Sequence, residues 1–304
     1  MKFNILKYYY KLFDNKKYLK LKEQNLIQET VKIFENRYKS YLFGIENKIK
    51  NNKKITFLHS GHLGDLIYAL PVIKELAKDH ECHFYIQANK IMPVEYYKHP
   101  AGYVFIDDRM LNLFLPLMKE QKFIHKAEKY NQQEIDINFD LFRELPVNIH
   151  FNSPRWYFHI AGIQVDLTDP YLEVKPHEKI KNKIVIHRTF RHRNQFINYK
   201  FLEKYKNLIF IGLKDEYEDL KQDIKNLEFY DCKDYLEMAQ IIKACKFFIG
   251  NQSIAYPIAE ALKVPRILEA EPLFPVVQPI GKNSFDFYYQ PHFEKWFKHL
   301  YYLK

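Results

Sequence analysis

The chain has 304 residues, 47% of them apolar, and a formal net charge of +10. That length suggests about two domains with ample core, and the lack of an apolar run of about 18 residues excludes a transmembrane helix. Three cysteines, Cys82, Cys232 and Cys245, have no C-x-x-C spacing, which excludes a disulfide framework and fits free thiols in a reducing cytoplasm. The basic N-terminus lacks the apolar core and cleavage site of a signal peptide, so secretion is not expected. The charge is unevenly placed: residues 1–54 hold 14 Lys+Arg against 5 Asp+Glu, and the remaining 250 hold 33 against 32.

Residues 1–54 read as a helical, weakly amphipathic extension. Phe3, Leu6, Tyr9 and Tyr10 recur at helix spacing, as do Leu26, Val31, Phe34, Tyr38 and Leu42, with lysines on the other faces. Two readings fit: a basic arm lying on an anionic membrane surface or a partner, and a helical hairpin whose aromatics pack on the body. Residues 55–170 carry a first α/β unit. Strands are expected at Ile55–His59, His83–Gln87, Tyr103–Ile106 and Ile135–Phe139, with helices at Asp65–Lys78, Leu111–Lys119 and Pro154–Ala161. Polar residues 166–182, with Asp169-Pro170 and Lys175-Pro176, read as a linker. A second unit over residues 171–282 has strands expected at Ile184–His187, Leu208–Gly212, Glu228–Tyr230, Phe247–Gly250 and Arg266–Glu269. Its helices are expected at Tyr199–Tyr205, Asp215–Lys225, Tyr235–Cys245 and Ile254–Leu262. Residues 283–304 end in a helix with Phe293, Trp296, Phe297 and Leu300 on one face. Strands alternating with helices imply the α/β class with parallel sheets.

Three strand exits carry candidate chemistry. In Ile55-Thr-Phe-Leu-His-Ser-Gly-His-Leu-Gly-Asp65, Gly61 and Gly64 are two of only 8 glycines in the chain. A Cβ at either would obstruct a tight backbone path or a ligand. Asp65 falls in the first turn of the following helix, where the dipole favours an acid whatever its role. His59 and His62 flank the loop and could orient an acceptor or donate to phosphate; no third ligand is spaced for a metal. The second exit, Ile184-Val-Ile-His-Arg-Thr-Phe-Arg-His-Arg-Asn194, sets Arg188, Arg191 and Arg193 on one loop. Guanidinium forks suit a diphosphate, and a solvated basic loop, or one meeting RNA or anionic lipid, has the same composition. In the third, a strand ends at Gly250 and Asn251, Gln252 and Ser253 lead into a helix whose free N–H groups make an anion site. An ordinary capped helix accounts for the same residues. Glu269, at a later strand end, is a candidate contact to a nucleotide ribose or base, and Glu260 is expected on the surface.

Taken together, these motifs resemble the heptosyltransferase-like glycosyltransferases of family 9. His59-x-Gly-His-x-Gly-Asp65 followed by Ala69-Leu-Pro71 is similar to the family's N-terminal motif. Gly250-Asn-Gln-Ser253, before a helix ending Ala261-Leu-Lys-Val-Pro265, is similar to its sugar-nucleotide motif. The resemblance implies the GT-B architecture: two Rossmann-like domains facing a cleft, 55–170 for the acceptor and 171–282 for the donor. Residues 283–304 would form a helix packing back on the first domain. It further implies an inverting, metal-independent transfer with no cofactor, from a nucleoside-diphosphate donor of ADP-heptose type to a glycan, glycolipid or protein. Asp65 would be the general base, and Arg191 or Arg193 would lie nearest the phosphate position. The chain departs from the family at Gln252 (an acid there), Ile254 (a glycine) and Ala255-Tyr256 (a Met-His pair). These departures leave nucleotide and sugar open and keep a GT-B-like binding module without activity as an alternative. A nucleic-acid-binding α/β protein is a third reading, with no nucleic-acid motif behind it. The expected address is cytoplasmic, peripheral at the inner membrane face.

Overall fold

The computed structural model describes residues 5–93, 99–144 and 152–303 of the chain, so Phe3 and Lys304 fall outside it. Helices α1 (Ile5–Phe13), α2 (Asn15–Ile33) and α3 (Lys39–Asn51) come first, with a π turn at Phe34–Tyr38 joining the last two. Asp14 separates α1 from α2 and caps α2, its carboxylate accepting the Lys17 N–H. None of the 19 residues of α2 is buried. Among the described residues the extension meets the body from Arg37 onward: Arg37 pairs with Glu144, Tyr38 and Ile45 are buried, and α3 packs on the later helix α6 (Pro154–Ala161).

The first sheet holds β1 (Lys54–His59), β2 (Glu81–Ile86), β3 (Lys126–Lys129) and β4 (Ile137–Asn138), all parallel, in the order β3-β2-β1-β4. Helices α4 (Leu63–Leu76) and α5 (Asp108–Lys119) connect them, and Asp107 caps α5 through the Met110 N–H at 2.7 Å. The expected strand at Tyr103–Ile106 does not join this sheet. It runs antiparallel to residues 89–92 through an Ile91–Val104 bridge and the bonds Met92 N–H to Tyr103 O and Asn89 N–H to Ile106 O. The place at the edge goes to β3, Lys-Ala-Glu-Lys, where only Ala127 is buried. Charged edge strands are a common guard against further pairing, and such a strand carries no apolar signal.

The second sheet has six parallel strands: β5 (Ile184–His187), β6 (Leu208–Ile211), β7 (Glu228–Tyr230), β8 (Phe247–Asn251), β9 (Arg266–Glu269) and β10 (Ser284–Phe287). Their order is β10-β9-β8-β5-β6-β7. Helices α7 (Lys214–Lys221), α8 (Tyr235–Ala244) and α9 (Ala255–Leu262) make the crossovers, and the segment expected as a helix at Tyr199–Tyr205 is a 3-10 turn, Lys200–Lys204. Both faces are covered. Val185, Phe248 and Leu268 point into an apolar cluster shared with α4, α5 and α6, while their neighbours Ile184, Ile186, Phe247, Ile249 and Ile267 point into a second one. Burial on both sides gives the unbroken apolar runs of these strands.

That second cluster overturns the expectation for the chain end. Residues 283–304 supply β10 and then α10 (Gln290–Tyr301), whose Phe293, Phe297 and Leu300 pack with Tyr199, Leu202, Tyr205 and Phe247 on the second sheet. Phe287 stacks on Phe293 with ring centroids 4.2 Å apart. The apolar face of α10 therefore closes the second sheet instead of returning to the first.

In each sheet the chain builds outward from a central strand, then reverses to its other side: at β1/β4 in the first, at β5/β8 in the second. Open parallel sheets bind ligands beyond the carboxyl ends of their strands at such reversals.

Candidate active site

β1 delivers His59, Ser60, Gly61 and His62 to the first reversal point. His59 is fully buried. Its Nδ1 accepts the Gly61 N–H at 2.9 Å and its Nε2 lies 2.8 Å from the Tyr157 hydroxyl, so the proton belongs on Nε2. Burial lowers its pKa, and the ring is a neutral structural bridge that does not reach a ligand. The acceptor or phosphate role expected of His59 is thus corrected.

Beneath the same loop lies Asp140, from the 3-10 turn Phe139–Arg143 that follows β4. It accepts the Ser60 N–H at 2.9 Å, the Ser60 hydroxyl, Lys90 Nζ at 2.8 Å and Arg143 Nη1 at 2.8 Å. Burial opposes its ionisation, but the Arg143 and Lys90 cations outweigh that and hold the carboxyl well below the usual range. Arg143 lies between the Phe105 and Phe142 rings, 4.3 and 4.4 Å from their centroids. Its Nη2 sits 3.8 Å from Asp65 Oδ2.

Asp65 closes this group. Its Oδ2 accepts the His62 N–H at 3.2 Å, tying it to the start of α4 as the back half of a capping box. Burial raises its pKa, against the opposing pull of Arg143. The carboxylate is thereby a stronger base than a free aspartate while staying partly exposed. Gly61 makes the arrangement possible: a Cβ there would lie 2.6 Å from Arg143 Nη2 and from the His59 ring and 2.8 Å from Asp65 Oδ2. Gly64 instead lets α4 approach α9, since its Cβ would meet Pro257 at 3.2 Å.

A cavity of about 280 Å³ opens beside this loop. His62, Leu63, Gly64, His99, Phe105 and Arg109 line it from the first unit, and His187, Thr189, Arg191, Gly212, Glu216 and Ser253 from the second. Burial and the neighbouring Arg191 push the His62 pKa down to about 2, and burial takes His99 to about 4, so both rings are neutral at pH 7. Arg191 contributes the positive charge felt by both.

Two further groups on the cavity wall escaped the sequence reading. His187 donates Nδ1–H to the Ile211 carbonyl at 2.7 Å, and burial takes its pKa to about 4, leaving Nε2 a bare acceptor with no hydrogen-bond partner. Glu216, in the first turn of α7, accepts the Phe190 N–H on Oε1 at 3.1 Å. Its Oε2 is buried without a partner, and burial raises its pKa to about 7. Both atoms belong to residues that line the cavity. His187 lay within the arginine-bearing motif; Glu216 had only its first-turn position to mark it.

The other expected contacts are engaged with the protein itself. Arg188 forms a two-pronged pair with Glu269 at 2.7 and 2.9 Å, while Glu269 also takes the Tyr199 hydroxyl at 2.8 Å and the Asn194 N–H at 2.7 Å. This buried knot holds the loop after β5 against β9, so neither residue serves phosphate or ribose. Arg193 pairs with Asp219 at 2.6 Å and stacks on Phe190. Asn251 exchanges hydrogen bonds with Thr189 at 2.8 and 3.1 Å, stitching β8 to the same loop. Gln252 donates to the Phe274 carbonyl at 3.1 Å. Gly250 is packed inside β8, where a Cβ would lie 2.8 Å from the His187 carbonyl. Of the third exit, Ser253 alone among the four expected residues reaches the cavity. Glu260 is buried with Arg266 Nε at 2.6 Å, correcting its expected surface position. Among the described residues, no three His, Cys, Asp or Glu side chains are grouped to hold a metal ion.

A family 9 glycosyltransferase from Veillonella parvula DSM 2008 superposes with a TM-score of 0.51, covering 83% of this chain and 90% of its own at 13% identity. The fold is shared with that family. The E. coli heptosyltransferase WaaC, solved with ADP, gives a TM-score of 0.50 over 81% of this chain and 99% of its own, at 11% identity. No family model matches the sequence, and no curated protein matches it.

Proposed function

We propose that the chain is a GT-B glycosyltransferase that moves a sugar from a nucleoside-diphosphate donor to a hydroxyl of a glycan, glycolipid or protein. The observation that carries this reading is the meeting, at one cavity, of residues from the reversal points of both sheets: His62, Leu63 and Gly64, next to Asp65, on one side, and His187, Thr189, Arg191 and Ser253 on the other.

In this reading Asp65 takes the proton from the acceptor hydroxyl as its oxygen attacks the anomeric carbon, inverting the centre. The raised pKa suits a base, and Arg143 beside it stabilises the carboxylate before attack. Arg191, with the N-terminus of α9 behind Ser253, faces the charge that develops on the departing diphosphate. His187 Nε2 accepts a hydrogen bond from a hydroxyl or amino group of the nucleoside, and Glu216 Oε2 accepts or donates one according to its protonation. The charge on the leaving group is met by protein cations and dipoles, consistent with a metal-independent mechanism. The ADP held by the E. coli neighbour makes an ADP-sugar the first candidate donor.

Two measurements test this. A thermal-shift panel of ADP, GDP, UDP and CDP should show one diphosphate raising stability, by about 2.7 kcal/mol at a hundredfold excess over Kd; a flat response to all four sinks the reading. With that donor, Asp65→Asn should cut turnover by about 10² to 10⁴ while leaving diphosphate affinity within a few fold. Because the base must be ionised, turnover should fall as pH drops through the raised pKa of Asp65. Diphosphate binding without any turnover would instead identify the binding-module alternative, which the altered Gln252 position favours.

A further inference from the structure

We infer that the N-terminal arm, residues 5–34, docks flat on an anionic lipid bilayer. The inference stands independently of the transfer reading, because no residue of that site takes part. Helix α2 buries none of its residues, and α1 presents Tyr8, Tyr9, Leu12 and Phe13 to solvent. Leu19, Leu26 and Ile33 follow at intervals of seven, flanked by Ile27 and Phe34, all exposed. A monomeric soluble chain rarely leaves so many large apolar side chains of one segment uncovered.

The charge and the spacing decide what covers it. Residues 5–34 carry 7 basic against 3 acidic side chains, so a second copy would bring like charge to like. The stripe is also half of a coiled-coil seam. Such a seam needs apolar residues at two positions per heptad, and the positions that would complete this one hold Lys16 or Asn15, Lys22 or Glu23, and Glu29 or Thr30. A nucleic acid would satisfy the lysines and leave the leucines in water. A bilayer surface with acidic headgroups satisfies both: the aromatics and leucines enter the interface while Lys7, Lys11, Lys16, Lys17, Lys20 and Lys22 reach the headgroups. Among the described residues no helix is long and apolar enough to span the membrane, so the arm lies on it.

The root of the arm fixes which part of the body is tethered. The Tyr38 hydroxyl donates to the Glu144 carbonyl, Arg37 pairs with the Glu144 carboxylate, and the Asn138 N–H donates to the Tyr41 hydroxyl at 2.9 Å. Those partners belong to β4 and the end of the turn that carries Asp140 and Arg143. The bilayer is therefore linked to the first sheet, beside Asp65.

The test is co-sedimentation of the full chain with vesicles of phosphatidylcholine alone and of phosphatidylcholine with about a third phosphatidylglycerol. The chain should pellet with the anionic vesicles and weakly with the neutral ones. Leu19→Asp with Leu26→Asp should lower vesicle affinity by about tenfold or more, as should Lys16→Gln, Lys17→Gln, Lys20→Gln and Lys22→Gln together. Neither set touches a buried side chain, so both variants should keep the parent melting temperature. The inference is overturned by no pelleting with anionic vesicles, by binding that the leucine substitutions leave unchanged, or by a duplex DNA that outcompetes the vesicles. A dimer in light scattering that Leu26→Asp dissociates, without vesicle binding, also overturns it.

Discussion

Glu216 shows how one carboxyl links the cavity to stability. Its pKa is raised to about 7 by burial, from an ordinary value of 4.5. The folded chain therefore holds a proton there that the unfolded chain releases between those values. The stability it contributes is complete below about pH 4.5 and is lost as pH rises to 7. Glu216→Gln keeps the Oε1 acceptor for Phe190 and removes the titration. Denaturant melts should find the variant more stable than the parent by about 2–3 kcal/mol at pH 8, with the gain shrinking toward pH 5. An equal effect at both pH values would show that Glu216 is already ionised in the fold. Such a residue is hard to find in a sequence, because a first-turn acid is favoured by the helix dipole alone. Asp65 and the Gly61 turn were readable, since a sparse glycine beside an acid at a strand exit is an unusual local pattern. Asp140 and Arg143, which hold Asp65, were not: they come from about 75 residues further along and meet it only through the parallel pairing of β4 with β1.

The elements were legible where burial on both faces left an apolar run, as in β1, β5, β6, β8 and β9, and where a cap or a glycine bounded them. They were illegible at the margins. β3 is an edge strand of charged residues, and β10 lies in the segment given over to the closing helix. For α10 the apolar face was right and its destination was not, because a stripe of Phe293, Phe297 and Leu300 states that a helix is buried without stating against what. Its contacts give that face a measurable weight. Phe293→Ala removes a fully buried ring stacked on Phe287 and should cost about 3–5 kcal/mol of unfolding free energy. Lys298→Ala, on the exposed side of the same helix, should stay within about 0.5 kcal/mol. The arginine loop was misjudged in a similar way. Three guanidinium groups in eleven residues suggested a phosphate cradle, yet Arg188 and Arg193 are spent holding the loop and Arg191 is left to face the cavity.

At the scale of the molecule, length and alternation pointed to two α/β units, and two parallel sheets are present. Nothing in the residue pattern signals that their apolar interiors are one. Leu66, Ile67 and Leu70 of α4 belong to the same buried cluster as Ile258 and Ala259 of α9 and Met238 and Ile242 of α8. Pro257 rests against Gly64 at the crossing. A protein whose halves share an interior should melt as a unit: calorimetric and van't Hoff enthalpies should agree, and probes in either sheet should report one midpoint. Two separated midpoints would mean the halves are held apart by a weaker boundary. The same joint interior bears on how a ligand enters. Swinging the halves apart would wet apolar surface shared by both, so traffic through the cavity falls to the side chains that line its wall, Arg191 and His99 among them. Binding there becomes a matter of small local latches set on a fixed frame, and the speed of exchange should be read from those latches and not from any opening of the whole.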